Sequence, residues 1–174
     1  MSDMLSYRGY DAIAMTQYSR FGSDTLGSDF WVVTNPFIYY VGEKHSETEV
    51  KIPRGYLTDG ASVPRVFWNV IPPWGKYGQA AILHDYLCEY LTVEESGICK
   101  SITRKECDQI FLEAMLVMGV PKAKAMMIHS AVSLYRITAR VSKPSFDPNK
   151  YMVEQAIRQR YEQHGVFESL PKVQ

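Results

Sequence analysis

Cysteine is scarce in this sequence, and the way it is placed argues against two common means of stabilising a small domain. The 174-residue chain has three cysteines, Cys88, Cys99 and Cys107, and no two of them form a Cys-X-X-Cys pair. Their odd number and wide spacing argue against a disulfide framework and against a structural zinc site. Free thiols persist in reducing compartments, so we expect synthesis in the cytoplasm.

Long apolar runs, a charge imbalance and the common catalytic motifs are also missing. No run of about 18 apolar residues occurs, so we expect no transmembrane helix, and the N-terminus shows no secretory signal pattern. Lysine plus arginine equals aspartate plus glutamate at 19 each, and a formal net charge of zero argues against general attraction to nucleic acid or an acidic membrane surface. The chain has no glycine-rich phosphate loop, Gly-X-Ser-X-Gly or His-Glu-X-X-His.

The patterns that are present predict an α+β fold, with a small antiparallel sheet packed against three main helices and an additional C-terminal helix. Strand-like runs cover 30–34, 37–41 and 49–52. Apolar stripes at helical spacing predict a helix over 77–91, a second helix that begins at a Thr103–Glu106 capping box, and a third that begins at Pro121. Residues 149–163 predict a polar last helix, and residues 92–102 predict a loop. We divide the chain into an irregular N-terminal arm (1–29), an α+β domain (30–140), and a C-terminal helix and tail (141–174).

The helix predicted over 77–91 carries an unusual pair of residues. His84 lies in its apolar stripe, where Leu or Val is usual, and Asp85 follows about 100° around the helix axis. A carboxylate is rarely buried unless it is paired or bound to a metal. Asp108 borders the stripe of the next helix, and His129 lies on the inner face of the third. The helices therefore direct these side chains toward one interior.

This set of residues fits a hydrolase. A histidine that activates water needs a second group on its other ring nitrogen, and Asp108 suits that role. Asp85 could hold a divalent cation, with calcium as the expected ion, because hard cations prefer carboxylate and carbonyl oxygens, here including turn carbonyls at 74–78. The cation would polarise the scissile group. Ordinary alternatives remain open: His84 as a core histidine, Asp108 complementing a helix dipole, and His129 as a packing residue.

Residues 53–65 (PRGYLTDGASVPR) form a second unusual stretch. Asp-Gly between short apolar pieces favours a tight turn, in which Asp59 caps its own backbone. The alternative is that Asp59, Ser62 and Arg65 line the mouth of a pocket. Tyr86, next to the His-Asp pair, is assigned to the same pocket lining.

These residues carry a resemblance to a known family. From Phe30 to about Thr138 the chain resembles the phage-associated domain of unknown function called DUF1353. The motifs are FIYY at 37–40, IPRGYLTDGASVPR at 52–65, AAILHDYL at 80–87, Arg104 with Asp108 and Phe111, and the pairs Ala114-Met115 and Gly119-Val120. The resemblance implies an origin in a phage or prophage and no settled activity. The family often has an aromatic residue where this chain has Cys88.

A shorter pattern is similar to secreted phospholipase A2, in which a helix carries His-Asp and a later helix carries an Asp before an aromatic residue. That similarity implies His84 as the base, Asp85 as a calcium ligand and Asp108 as the residue that orients the histidine. The chain departs from that family because it has neither a disulfide framework nor a glycine-rich calcium loop.

We therefore expect a phage-encoded, metal-assisted hydrolase of an ester or phosphoester bond. The competing hypothesis is a non-enzymatic virion or tail-associated structural protein, in which the same residues form a buried polar network. The expected partners are other phage structural proteins or a bacterial host protein, and no nucleic acid. The expected location is the host bacterial cytoplasm on synthesis, or the virion.

Overall fold

The computed structural model describes residues 9–60 and 77–167, and its helices and strands confirm the predicted α+β class. The elements in chain order are β1 (Met15–Tyr18), α1 (Arg20–Leu26), β2 (Trp31–Asn35), β3 (Phe37–Tyr40), β4 (Thr48–Ile52), β5 (Leu57–Thr58), α2 (Gly78–Tyr90), β6 (Thr92–Glu95), β7 (Ile98–Ser101), α3 (Arg104–Val117), α4 (Lys122–Thr138) and α5 (Pro148–His164). No helix in the described ranges is both long and apolar enough to span a bilayer.

The predicted strands are distributed over two antiparallel sheets. One sheet has the strand order β1-β2-β5 and the other has the order β3-β4-β6-β7. The chain changes sheet at Asn35-Pro36, where proline has no N–H to continue a ladder. In the second sheet Phe37 pairs with Ile52 and Tyr39 pairs with Val50. All four of these side chains are buried, as the two-residue period of a half-buried sheet requires.

Two segments that we predict to be irregular form regular structure. Within 1–29, β1 and α1 are joined at Ser19, whose hydroxyl caps the helix by accepting from the N–H of Gly22 at 3.0 Å. Within 92–102, β6 and β7 form a hairpin around Ser96 and Gly97, both at positive φ. Positive φ at both residues of a two-residue turn gives the backbone a twist that matches the twist of the two strands it joins, so this turn favours a hairpin. The hairpin escaped prediction because β7 is fully exposed and so lacks an apolar alternation.

Helix α2 lies in the core, packed against α3, and α3 in turn packs against α4. The apolar stripe predicted for α2 is buried from Tyr77 to Cys88, and the α3 capping box is present, with Thr103 N–H donating to Glu106 at 2.6 Å. The inner face of α4 ends at Val132. Tyr135 and Ala139, which continue that face by helical spacing, are exposed because the last turns of the helix have no core beneath them.

Helix α5 packs on the β1-β2-β5 sheet. Its Val153 and Ile157 form a small apolar cluster with Val32 and Leu57. Glu154, fully buried, accepts a hydrogen bond from the backbone N–H of Leu57 at 2.9 Å. The predicted C-terminal helix therefore packs on the sheet that contains β5, which belongs to the 53–60 stretch. Our division of the chain into three parts stays a prediction.

Gly55 provides a direct test of how α5 docks. It has φ of +83°, and a Cβ at this position would lie 2.5 Å from Cγ of Arg158 on α5. Gly42 has nearly the same φ, +89°, but faces open space. Alanine strains the backbone at both positions by about 1–2 kcal/mol. We expect Gly55→Ala to lower the free energy of unfolding in urea by roughly 1 kcal/mol or more beyond Gly42→Ala. Equal losses would contradict this packing of α5.

Candidate functional site

His84 is buried between α2 and α3, and its ring nitrogen Nε2 has two partners. Asp108 Oδ1 on α3 lies 3.1 Å from Nε2, and Cys88 Sγ, one turn further along α2, lies 3.4 Å from it. The Phe111 ring stacks on the imidazole with a centroid distance of 4.5 Å. The imidazole is only 6% exposed. The structure therefore brings together the two residues that the sequence predicts as base and orienting group.

Asp108 is fixed from two sides. While Oδ1 faces His84, Oδ2 accepts from Arg136 Nε at 2.7 Å and from the Ser133 hydroxyl at 3.3 Å, both on α4. Burial raises the pKa of Asp108, but His84 and Arg136 lower it by more, so the carboxylate stays ionised. We call His84, Cys88, Cys107, Asp108 and Arg136 the histidine cluster.

Two cysteine thiols complete this cluster. Cys107 on α3 is buried close to Cys88. The Cys107 thiol and the neighbouring His84 lower the pKa of the Cys88 thiol below its usual value, against the opposing effect of burial. Burial lowers the pKa of His84, whereas Cys88 and Asp108 raise it by more, to about 10. His84 and Cys88 therefore favour each other's charged forms, and Asp108 adds a second negative charge beside the imidazole.

The cluster differs from a nucleophilic triad. In a triad, the nucleophile and the carboxylate contact opposite nitrogens of the imidazole, so that one nitrogen accepts a proton while the other donates. Here Cys88 and Asp108 both contact Nε2. A nitrogen that donates to Asp108 cannot also take the proton of the Cys88 thiol. A proton that His84 takes from a substrate or from water must therefore go to Nδ1.

Asp85 lies on another side of α2, about 100° around the axis from His84. Its Oδ2 accepts from the hydroxyl of Thr58 on β5 at 2.7 Å. Glu89, one turn further along α2, accepts from the Tyr56 hydroxyl at 2.9 Å. Although His84 and Asp85 are adjacent in sequence, their side chains serve two different clusters.

The second cluster joins α2 to α5, and we call Tyr56, Asp85, Glu89, Lys150 and Glu154 the carboxylate cluster. Lys150 donates to Glu89, lies 3.5 Å from Glu154 and sits 4.1 Å from the centre of the Tyr56 ring. Burial, with the charges of Asp85 and Glu89, raises the pKa of Tyr56 well above its usual value, so its hydroxyl stays a donor. This cluster holds the C-terminal helix against Tyr56 and β5.

The other predicted pocket residues do not gather around His84 in the described part of the chain. Tyr86 packs edge-on against Tyr56 of the carboxylate cluster, with 5.3 Å between the ring centres. Asp59 is exposed, and His129 is half-buried on α4 without a hydrogen bond to either cluster. Ser62 and Arg65 lie outside the described residues.

The described residues alone do not fit a calcium site. Within 9–60 and 77–167, no three His, Cys, Asp or Glu side chains come together so that they could hold a metal ion. Asp85 supplies one carboxylate, already hydrogen-bonded to Thr58. Most of the carbonyls predicted as further ligands, at 74–78, lie outside the described residues.

The position of Cys88, one turn after His84 on α2, can be read from the sequence, whereas several other residues of the two clusters were missed. Glu89 lies four residues after Asp85, and Arg136 lies three after Ser133, and at both spacings side chains on a helix meet. These spacings could have marked them as neighbours, whereas nothing in the sequence placed Lys150 or Glu154 against α2.

Comparisons with known proteins show which sequences and which family the chain is similar to. An uncharacterized protein, y4jT of Sinorhizobium fredii, is 37% identical over 86 residues, which are 48% of this chain and 23% of that protein, so the match spans about a quarter of the relative. No solved structure matches the chain. The family model described as a protein of unknown function, DUF1353, matches residues 31–132, more than half of the chain, and the chain therefore belongs to the DUF1353 family.

Proposed function

We propose that this chain hydrolyses an ester or phosphoester bond, with His84 as the general base and Asp108 as the group that orients it. The observation that carries the proposal is the buried 3.1 Å contact between His84 Nε2 and Asp108 Oδ1. A carboxylate on one ring nitrogen fixes the tautomer and leaves the lone pair on the other nitrogen.

The chemistry follows from this geometry. With its Nε2 proton held by Asp108, neutral His84 takes a proton from water onto Nδ1 as the water oxygen attacks the carbonyl or phosphoryl centre. The resulting imidazolium is stabilised by Asp108, and Arg136 and Ser133 keep that carboxylate in place. The Nδ1 proton then passes to the leaving alkoxide as its bond to the carbonyl carbon or phosphorus breaks.

Asp85 remains our proposed ligand for a divalent cation, with calcium as the expected ion. A cation would supply polarisation of the scissile group. Because the described residues do not complete a metal site, water activation by His84 is proposed without depending on it. Phage origin, a location in the host cytoplasm or the virion, and phage or host proteins as partners are proposed from the family resemblance.

A structural role is the second candidate, and burial favours it. His84 is 6% exposed and Asp108 is 3% exposed, while Arg136 and Ser133 satisfy the second oxygen of Asp108. A buried polar network of this kind can specify one packing of α2, α3 and α4 without chemistry. The protein would then be a virion or tail-associated component.

Hydrolysis of nitrophenyl esters and phosphodiesters tests the enzymatic proposal. We expect the rate to rise with pH toward about 10, because the raised pKa of His84 keeps the imidazole protonated at lower pH. His84→Gln should lower kcat by about 100-fold or more. The matched control is His129→Gln, which changes a half-buried histidine outside the cluster and should keep full activity. No hydrolysis by the wild type, or full activity in His84→Gln, would favour the structural role.

The stability of the histidine cluster should depend on pH. Because the folded-state pKa of His84 is raised from 6.5 to about 10, its ion pair contributes fully below about 6.5 and is lost as pH rises through about 10. Urea unfolding of the wild type and His84→Gln should show a difference of about 1–3 kcal/mol at low pH. That difference should shrink across this window. A constant difference would contradict the ion pair.

Thermal melting with added calcium tests the cation site. A ligand at 100 times its dissociation constant stabilises a protein by about 2.7 kcal/mol, so binding should raise Tm visibly. The rise should vanish in Asp85→Asn and persist in Asp59→Asn, which changes an exposed carboxylate. A wild-type Tm that calcium leaves unchanged would overturn the cation proposal but not water activation by His84.

A further inference from the structure

Helix α4 has a second apolar face, which points away from the core. We call it the outer face, and its residues are Met126, Met127, Leu134 and Ile137. These side chains are 44%, 43%, 56% and 63% exposed, respectively. At 100° per residue they fall within an arc of about 100°, opposite the buried Ile128 and Val132, and the same arc contains the exposed small residues Ala123 and Ser130. One helix therefore presents apolar side chains both to the core and to solvent.

The stretch of sequence that contains this face carries charge of one sign. Residues 114–146 contain five Lys or Arg and no Asp or Glu, although the whole chain has a formal net charge of zero. One of the five, Arg136, is paired with Asp108, and Lys124 lies over the Tyr77 ring at 5.5 Å from its centre. By helical angle, Lys122 lies on one flank of the outer face and Lys124 on the other. Arg140 and Lys143 follow the helix end, and both are exposed. Although the whole chain is neutral, the outer face of α4 and its flanks therefore form a basic and apolar patch.

We propose that α4 docks on an anionic lipid surface. Its outer face enters the boundary between headgroups and acyl chains, and its flanking lysines contact lipid phosphates. An apolar stripe bordered by Lys and Arg is the pattern of helices that lie in a membrane interface. A second copy of the chain fits less well, because pairing two α4 helices brings like charges together. A nucleic acid would pair with the charges but leave Leu134 and Ile137 without an apolar partner.

Sedimentation of the full chain with vesicles tests this proposal, and it requires no catalytic turnover. We expect binding to vesicles of phosphatidylglycerol mixed with phosphatidylcholine that is about ten-fold or more tighter than binding to phosphatidylcholine alone, and weaker at high salt. The pair Leu134→Gln/Ile137→Gln should lower binding to the anionic vesicles about ten-fold. The matched control is Ile98→Gln/Met152→Gln, because these side chains are 72% and 70% exposed but lie off α4.

Three results would overturn the proposal. The first is equal binding to both kinds of vesicle. The second is retention of binding by the Leu134→Gln/Ile137→Gln variant, which would show that the apolar stripe does not enter the lipid. The third is a dimer of the wild type that this variant abolishes, with no vesicle binding, which would identify the occupant as a second copy. Each result is independent of whether His84 supports hydrolysis.

Discussion

The contact between His84 and Asp108 is the buried polar link between α2 and α3 on which the polar contacts of the three central helices depend. Placing an imidazole in an apolar stripe is costly unless the ring finds a polar partner. Asp108 supplies that partner from α3, and Arg136 then neutralises the second carboxylate oxygen from α4. A single buried chain of contacts thus links α2, α3 and α4. Removing one member leaves a buried charge or donor unsatisfied, so this chain of contacts constrains the fold as well as any chemistry.

Two adjacent residues on α2 divide the molecule into two polar clusters. His84 faces α3, whereas Asp85 and Glu89 face β5 and, through Lys150, helix α5. The step of about 100° between neighbouring helix positions is sufficient to cause this division. The His-Asp pair therefore connects the helical half of the domain to the sheet that carries the C-terminal helix.

Sequence analysis predicted the parts of the fold that depend on local patterns. The α2 stripe, the capping box of α3 and the strands around Asn35-Pro36 all follow from spacing and turn chemistry within a few residues. It could not predict the exposed β6–β7 hairpin, which has no apolar alternation, or the docking of Glu154 on the N–H of Leu57, which joins residues 97 apart. The pairing of His84 with Asp108 was predictable from residue types, and that of His84 with Cys88 from their spacing on one helix, whereas the contact between Asp108 and Arg136 required the packed helices.

The most direct test of the histidine cluster is nitrogen NMR of the His84 imidazole as a function of pH. We expect Nε2 to keep its proton throughout, because Asp108 accepts it, while Nδ1 titrates with a pKa raised well above 6.5. In Asp108→Asn that pKa should fall. A neutral ring protonated on Nδ1, or a titration that Asp108→Asn leaves unchanged, would show that Asp108 does not orient the imidazole.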